Sequence, residues 1–574
     1  MGKVSTTSTE HDDLKLRDRA AGVSGRVALG ALGRALHLPR ATTRYTRHHV
    51  QVPMRDGVHL VADHYAPLTP KPAGTLLTRG PYGRRFPFSL AFARLYAARG
   101  YHVVLQSVRG TFGSAGQFEP MVNEAADGAD TVQWLREQPW FTGSFATIGL
   151  SYLGFTQWAL LQDPPPELAT AVITVGPHDF RESVWGTGTF AVNDFLGWSA
   201  MVARQEEPGL LRAGIRQLSG PRKVARALAE VPMGKSARAL LGEGAPWFES
   251  WVDTHHGDPF WDQLRFPDAL DRVNVPVLLL SGWQDIFLRQ TLQQYRHLRD
   301  RGIEVGLTIG PWTHTQMLTK GLATCTRETL DWLDTHLGGA TAPRRPSPAH
   351  IFVTGQGWRH LADWPPATTE HALYLQPYGH LGDQPPTTKT RPANFHYDPA
   401  HPTPTIGGPL LSPKGGYRDD TKLAMRDDVL SFTGATLTHD LFVYGNPVIE
   451  LEHSADNPNV DLFVRVSEVD AKGRSRNLSD GYRRLGPLEP GTHRVRIELD
   501  AVAHRFAAGS RVRVLITGSW FPRYARNLGT EEPMLTARQH KPATHSVHFG
   551  ESRLLLPVGR GSADRPADAG DDAG

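Results

Sequence analysis

Between Gly74 and Gly338 short apolar runs alternate with helical runs, and after the Pro-rich stretch that follows, helical patterning nearly vanishes. GTLLTRG, YHVVLQS, SFATIGL, LATAVITVGP, VPVLLLSGW and VGLTIGP are the apolar runs. FSLAFARLYAARG, NEAADGADTVQWLREQ, TLQQYRHLRDRG and TRETLDWLDTHLGG are the helical ones. Strands alternating with helices build a parallel sheet covered on both faces. HHVQVP and VHLVADHYAP flank Arg55-Asp56-Gly57 as a hairpin ahead of that sheet.

The alternation stops from about His178 to Leu270. This segment is rich in helix formers and in aromatics, among them Trp185, Trp198, Trp247 and Trp251. It reads as a helical insertion over the C-terminal edge of the sheet. Most of its aromatics pack a core, and some can line a substrate pocket, because ligand sites are largely apolar. Beyond ATAPRRPSPAH come HIFVTG, HALYLQ, DLFVYGNPVIELEH, VDLFVRVSEVD, HRVRIELDAVA, SRVRVLITGS and SRLLLPV. Many short strands with turn residues between them predict a β-sandwich, a jelly roll being one form.

The domain reading follows: 1–44 an N-terminal tail, 45–177 with 271–338 an α/β domain built on the parallel sheet, 178–270 a helical cap. A linker at 339–349, a jelly-roll sandwich at 350–560 and a small acidic tail at 561–574 complete it. Arg26 to Arg40 reads as a short amphipathic helix, and Arg34 and His37 interrupt what a secretory signal would need as a continuous apolar core.

Composition excludes several functions. Lys plus Arg number 62 against 58 Asp plus Glu, a net charge of +4 that gives no basic footprint for nucleic acid. The single cysteine, Cys325, excludes an intrachain disulfide framework and a multi-cysteine metal site. No apolar run approaches the about 18 residues of a membrane span. A cytoplasmic protein without cofactor or metal is expected.

The stretch Gly149-Leu150-Ser151-Tyr152-Leu153-Gly154 carries the chemistry. A strand that turns sharply into a helix exposes a serine Oγ above the sheet, and small residues let the two backbones approach. The general G-x-S-x-G pattern fails by one place, with Leu153 where glycine is expected. A turn serine on a buried strand therefore stays open as the alternative. A serine nucleophile needs a base, and the base a carboxylate, in the order Ser, Asp, His. Asp285 follows VPVLLL in SGWQD, and His314 follows VGLTIG in PWTH, one βαβ unit further. Both sit at C-terminal ends of strands, where open α/β sheets place their sites. Oxyanion donors are the backbone N–H of Tyr152 and, from the loop Thr78-Arg79-Gly80-Pro81-Tyr82-Gly83, the phenol of Tyr82.

GPYG at 80–83, VRGTFGSAGQF at 108–118, GLSYLG, GWQDIF at 282–287 and GPWTH at 310–314 occur in this order, followed by SDGYRRL at 479–485 and GSRVRVLITGSWFPRYARN at 509–527. In these segments the chain resembles the cocaine-esterase-like branch of the X-prolyl dipeptidyl-peptidase superfamily, which includes glutaryl-cephalosporin acylases and α-amino acid ester hydrolases. The resemblance spans roughly Tyr45 to Val558. Its elbow is G-x-S-Y-x-G, which accounts for the displaced glycine. It implies Ser151 as nucleophile with Asp285 and His314, and Tyr82 with the Tyr152 amide as oxyanion hole. It also implies an α/β-hydrolase core, a helical cap and a jelly-roll domain. Gln106-Ser107 departs from the family, whose members commonly carry an acidic residue there.

The expected activity is hydrolysis of a small-molecule ester or amide through an acyl-enzyme. An X-prolyl dipeptidyl aminopeptidase and an acyltransferase are the alternatives, and the oligomeric state stays open, a homodimer included. An aminopeptidase needs carboxylates for the substrate amine, for which the cap offers Asp194, Glu206, Glu207, Glu249 and Asp253. Three other features carry no chemistry on this reading. Met233-Gly234-Lys235-Ser236 lacks a preceding strand and the first glycine of a phosphate loop. His255-His256 lacks an H-E-x-x-H context. Cys325 reads as a small buried residue.

Overall fold

The computed structural model describes residues 30–207, 210–339, 345–387 and 390–561; the side chains of 210–219 are not described. The N-terminal tail to residue 29, most of the acidic tail and part of the Pro-rich linker lie outside the described residues. Residues 30–35 are helical.

The first sheet has ten strands in the order β1-β2-β4-β3-β5-β6-β7-β8-β9-β10. Their ranges are β1 Tyr45–Pro53, β2 His59–Pro67, β3 Gly74–Gly80, β4 Tyr101–Ser107, β5 Phe145–Leu150, β6 Leu168–Thr174, β7 Val277–Gln284, β8 Val305–Thr313, β9 Ala349–Val353 and β10 Gly357–Leu361. β1 pairs antiparallel with β2, and β2 with β4. From β4 through β3 to β9 every neighbour is parallel. Strands β3, β4, β5 and β7 are buried along their whole length. That is why they read as continuous apolar runs rather than alternating ones.

Helices α1 (Glu124–Arg136) and α2 (Tyr152–Leu160) cover the sheet, with α8 (Leu288–Asp300) and α9 (Leu322–His336) after the insertion. The insertion comprises α3 (Phe180–Trp185), α4 (Val192–Val202), α5 (Leu210–Ala229), α6 (Met233–Leu241) and α7 (Trp247–Asp253). Its aromatics pack edge to face, as at Phe180 with Trp251, ring centroids 4.6 Å apart. The Met233-to-Ser236 stretch opens α6, where the Gly234 N–H donates to Leu535 O at 3.0 Å. Protein backbone thus occupies the place a phosphate would need.

One boundary differs from the sequence reading. HIFVTG is placed there in the second domain, from 350. In the structure β9 instead pairs parallel with β8, Leu307 opposite Ala349, and β10 folds back on β9. The catalytic sheet thus extends past the linker. An apolar run of this length satisfies any sheet edge, and its pattern does not say which.

From Thr368 to Gly559 the chain is β-rich. Its twelve strands pair antiparallel apart from the His380–Thr433 contact. Leu375, Ile449, Leu462, Val464, Val514, Ile516 and Leu554 fill its interior. The family-like segments of this domain take part in ion pairs with buried carboxylates. Arg465 grips Asp480 with two hydrogen bonds of 2.7 and 2.9 Å, and Arg484 grips Asp461 with bonds of 2.8 and 2.9 Å. The Arg465 guanidinium also lies 4.5 Å from the centre of the Trp520 ring.

Candidate active site

Ser151 stands between β5 and α2 at φ 58°, ψ −120°. A non-glycine residue with positive φ is strained, and strain of this kind collects at functional sites. Neighbouring glycines make the turn feasible. A Cβ on Gly149 would lie 2.5 Å from the Leu153 Cβ, and one on Gly80 would lie 2.3 Å from Leu153 Cδ1. Leu153, the residue that breaks the general pattern, fills the space those two glycines leave. Gly154 meets the backbone of Gly176, where a Cβ would lie 2.6 Å from its Cα.

Asp285 directly follows β7, and His314 directly follows β8. The structure brings both to Ser151. His314 Nε2 is 2.9 Å from Ser151 Oγ, and His314 Nδ1 is 2.7 Å from Asp285 Oδ1. The Asp285 side chain is fully buried and that of His314 is 7% exposed. The second carboxylate oxygen accepts from Ser281 Oγ at 3.2 Å and from the Phe287 N–H at 3.1 Å. Phe287 sets its ring edge-on to the imidazole at 5.3 Å. Gln284, the residue before Asp285, donates to Leu478 O of the second domain at 3.0 Å.

The Tyr152 N–H opens α2, so it has no partner within the helix and lies at the positive end of the helix dipole. Its phenol points the other way, donating to Glu124 Oε1 at 2.7 Å and accepting from the Met121 N–H at 2.7 Å. Glu124 pairs with Arg79 at 3.2 Å. Arg79 also donates to Gln106 Oε1 at 2.7 Å. Burial raises the Glu124 pKa.

Tyr82 closes the other side. Its hydroxyl accepts from the Trp198 indole at 3.0 Å and meets the Ser151 side chain. Burial raises its pKa, so the phenol keeps its proton and can donate. Trp198 is one of the cap aromatics; its sequence environment does not distinguish it from Trp185 or Trp251.

Of the five cap carboxylates only Asp194 comes near, lining one cavity with Asp285 and Phe287. Asp194 is buried and accepts from the Leu411 N–H at 2.8 Å and Asn193 at 3.0 Å. Glu249 pairs with Arg238, and Glu206, Glu207 and Asp253 are exposed. His255 and His256 are also exposed, and among the described residues no cluster suits a metal ion. A cavity of about 260 Å³ lies between cap and second domain and includes none of the residues around Ser151, whereas one of about 70 Å³ is lined by Asp194, Asp285 and Phe287. Hydrogen-bond geometry, not cavity size, locates the chemistry.

Residues 56–316 match the X-Pro dipeptidyl-peptidase (S15 family) model, and 344–554 match the X-Pro dipeptidyl-peptidase C-terminal non-catalytic domain. The cocaine esterase of Rhodococcus sp. (strain MB1 Bresler) is 31% identical, with 89% of this chain and 98% of that protein covered. The chain belongs to the S15 family. An α-amino acid ester hydrolase structure is similar at TM-score 0.77 and 25% identity, covering 91% of this chain and 98% of that one. An aminopeptidase from a marine sediment Thaumarchaeota archaeon shares the fold at TM-score 0.77 and 24% identity, covering 91% of this chain and 97% of that one. This S15 protein is accordingly a serine hydrolase with an α/β-hydrolase core and a β-rich C-terminal domain. No helix among its described residues is long and apolar enough to cross a membrane.

Proposed function

We propose that the protein is an esterase for small acyl substrates that lack a free α-amine, with Ser151 as nucleophile. Ser151 gives its proton to His314 Nε2 as Oγ attacks the ester carbonyl. Asp285 holds the Nδ1–H tautomer and stabilises the imidazolium that forms. The oxyanion receives the Tyr152 N–H and the Tyr82 O–H, whose hydrogen bonds strengthen as charge develops. His314 then protonates the leaving alkoxide, and water, deprotonated by the same imidazole, releases the acid from the acyl-enzyme.

The continuous hydrogen-bond path from Ser151 through His314 to Asp285 carries the proposal. Preference for esters over N-terminal dipeptides rests on the cap: only one of its five carboxylates, Asp194, is buried near the site, and its Oδ1 already accepts two hydrogen bonds. The kinship with cocaine esterase supports the same choice. A lone thiol, which can form no intrachain disulfide, suits the reducing cytoplasm, where we place the enzyme.

The test is a panel of p-nitrophenyl esters, cephalosporin side-chain amides and Gly-Pro-anilide, with a fluorophosphonate probe mapped by peptide sequencing. Ester turnover with the probe on Ser151 is expected. Preferential cleavage of Gly-Pro-anilide would identify an aminopeptidase, and label on another residue would overturn the nucleophile.

A further inference from the structure

Trp198 touches both residues that face the reacting carbonyl. Its indole stacks on the Tyr152 ring, centroids 6.2 Å apart and planes 10° from parallel, and its Nε1–H donates to Tyr82 Oη at 3.0 Å. Trp251 holds its other neighbourhood at 6.0 Å, and Phe88 stacks on Tyr82 at 5.1 Å. Neither ring is free to turn away.

An indole nitrogen donates and cannot accept. Tyr82 therefore receives a hydrogen bond from the cap and must direct its own proton elsewhere. The Ser151 side chain is the other polar group beside its hydroxyl. At the far end Asp285 accepts only, so the proton between them sits on His314 Nδ1, and Nε2 of the neutral ring accepts from Ser151. With the Tyr82 proton turned toward Ser151, every proton from Trp198 to Asp285 would face the same way. Without the indole donor, Tyr82 could accept from Ser151 and draw the serine proton away from the imidazole.

We propose that Trp198 is a positioning residue for the hydrolysis: its N–H aims the Tyr82 proton at the place where the oxyanion forms and keeps the Ser151 proton on His314. Donation into the phenol oxygen also strengthens Tyr82 as a donor, since chained hydrogen bonds polarise one another. The inference rests on the reading of Tyr82 as an oxyanion donor.

Two variants test it: Trp198→Phe, and 3-benzothienylalanine at position 198, which keeps the ring shape and replaces N–H by sulfur. The readouts are kcat and KM on a p-nitrophenyl ester and the affinity of a trifluoromethyl ketone, which forms the tetrahedral adduct. Expected is a fall in kcat of about tenfold, one ordinary hydrogen bond, with KM near wild type. Ketone affinity should fall by a similar factor, and both losses should vanish in a Tyr82→Phe background. A merely structural tryptophan would cost the same in either background, and that additivity overturns the proposal. So does normal kcat for the benzothienyl enzyme while Tyr82→Phe is slow. Normal kcat for Tyr82→Phe itself overturns the reading beneath it, and the inference with it.

Discussion

Gly154 and Gly176 approach so closely that a Cβ on either would lie within 2.6 to 2.8 Å of the other's Cα. Helix α2 can sit down on the end of β6 only because both lack side chains. Gly154→Ala should therefore push α2 away from the sheet and cost about 1–3 kcal/mol by overpacking. Urea unfolding measures the stability loss. The rate of fluorophosphonate labelling reports the displaced elbow and should fall in parallel; unchanged labelling with lowered stability would mean that the elbow does not depend on this contact.

Asp285→Asn keeps the shape but offers an amide N–H to the imidazole, which favours the wrong tautomer. In Ser-His-Asp proteases this exchange costs about 10⁴ in kcat, and a loss of that order is expected. Circular dichroism and a thermal melt should show an intact fold. Turnover close to wild type would mean that another carboxylate orients His314.

Tyr82→Phe removes one hydroxyl from two roles. As an oxyanion donor its loss should lower kcat by about 10²–10³. As the acceptor for Trp198 it leaves a buried N–H unpaired, which costs about 1–3 kcal/mol. Steady-state kinetics beside a thermal melt separates the two, and a stability loss with normal kcat would leave only the structural role.

His178, 2% exposed, is depressed to about 4, chiefly by burial, with His297 and Arg265 adding to the shift and Asp179 opposing it. Its Nδ1 lies 3.1 Å from the Gln294 amide nitrogen, which suits a neutral ring accepting there. A histidine depressed in the folded state binds its proton more readily when unfolded. Its stabilising contribution is thus present above about 6.5 and is lost as the pH falls toward 4. The loss is on the order of 3 kcal/mol at about 1.4 kcal/mol per unit. Urea midpoints at pH 7 and pH 5 should differ less for His178→Gln than for wild type. His64, depressed to about 3, and His453, to about 4, leave the variant a residual slope of the same sign.

Cys325 sits in α9 with its thiol pKa pushed up by burial, so the reactive thiolate is suppressed. Iodoacetamide should leave ester turnover unchanged and modify Cys325 only after denaturation. Inactivation that Cys325→Ser prevents would show the thiol to be accessible.

The elbow and its two partners were legible because each is a local signal: a strand, a small residue, a polar side chain just past the strand end. The apolar runs of β3 to β8 were legible for the same reason. The partner of HIFVTG was not, because strand periodicity records burial and is silent on which edge a strand will join. Trp198 stood among many cap aromatics, and only the packing of α4 against the Tyr82 loop singles out its N–H. The role of Gln106 was not legible either: it accepts from Arg79, whose ion pair with the buried Glu124 joins residues 45 positions apart in the chain.

The junction after α9 also bears on how such chains can be recombined. β9 follows the linker yet seals the open flank of β8, and Leu478 of the β-rich domain restrains the residue preceding Asp285. A shortened gene product ending at Gly339 would present β8 as a bare parallel edge, a template for self-association, and would free the segment that orients the base. The two halves are therefore not interchangeable cassettes. Grafting a different C-terminal half onto this hydrolase requires that the graft bring its own sealing strand and its own carbonyl for Gln284, or the hybrid forfeits both solubility and turnover.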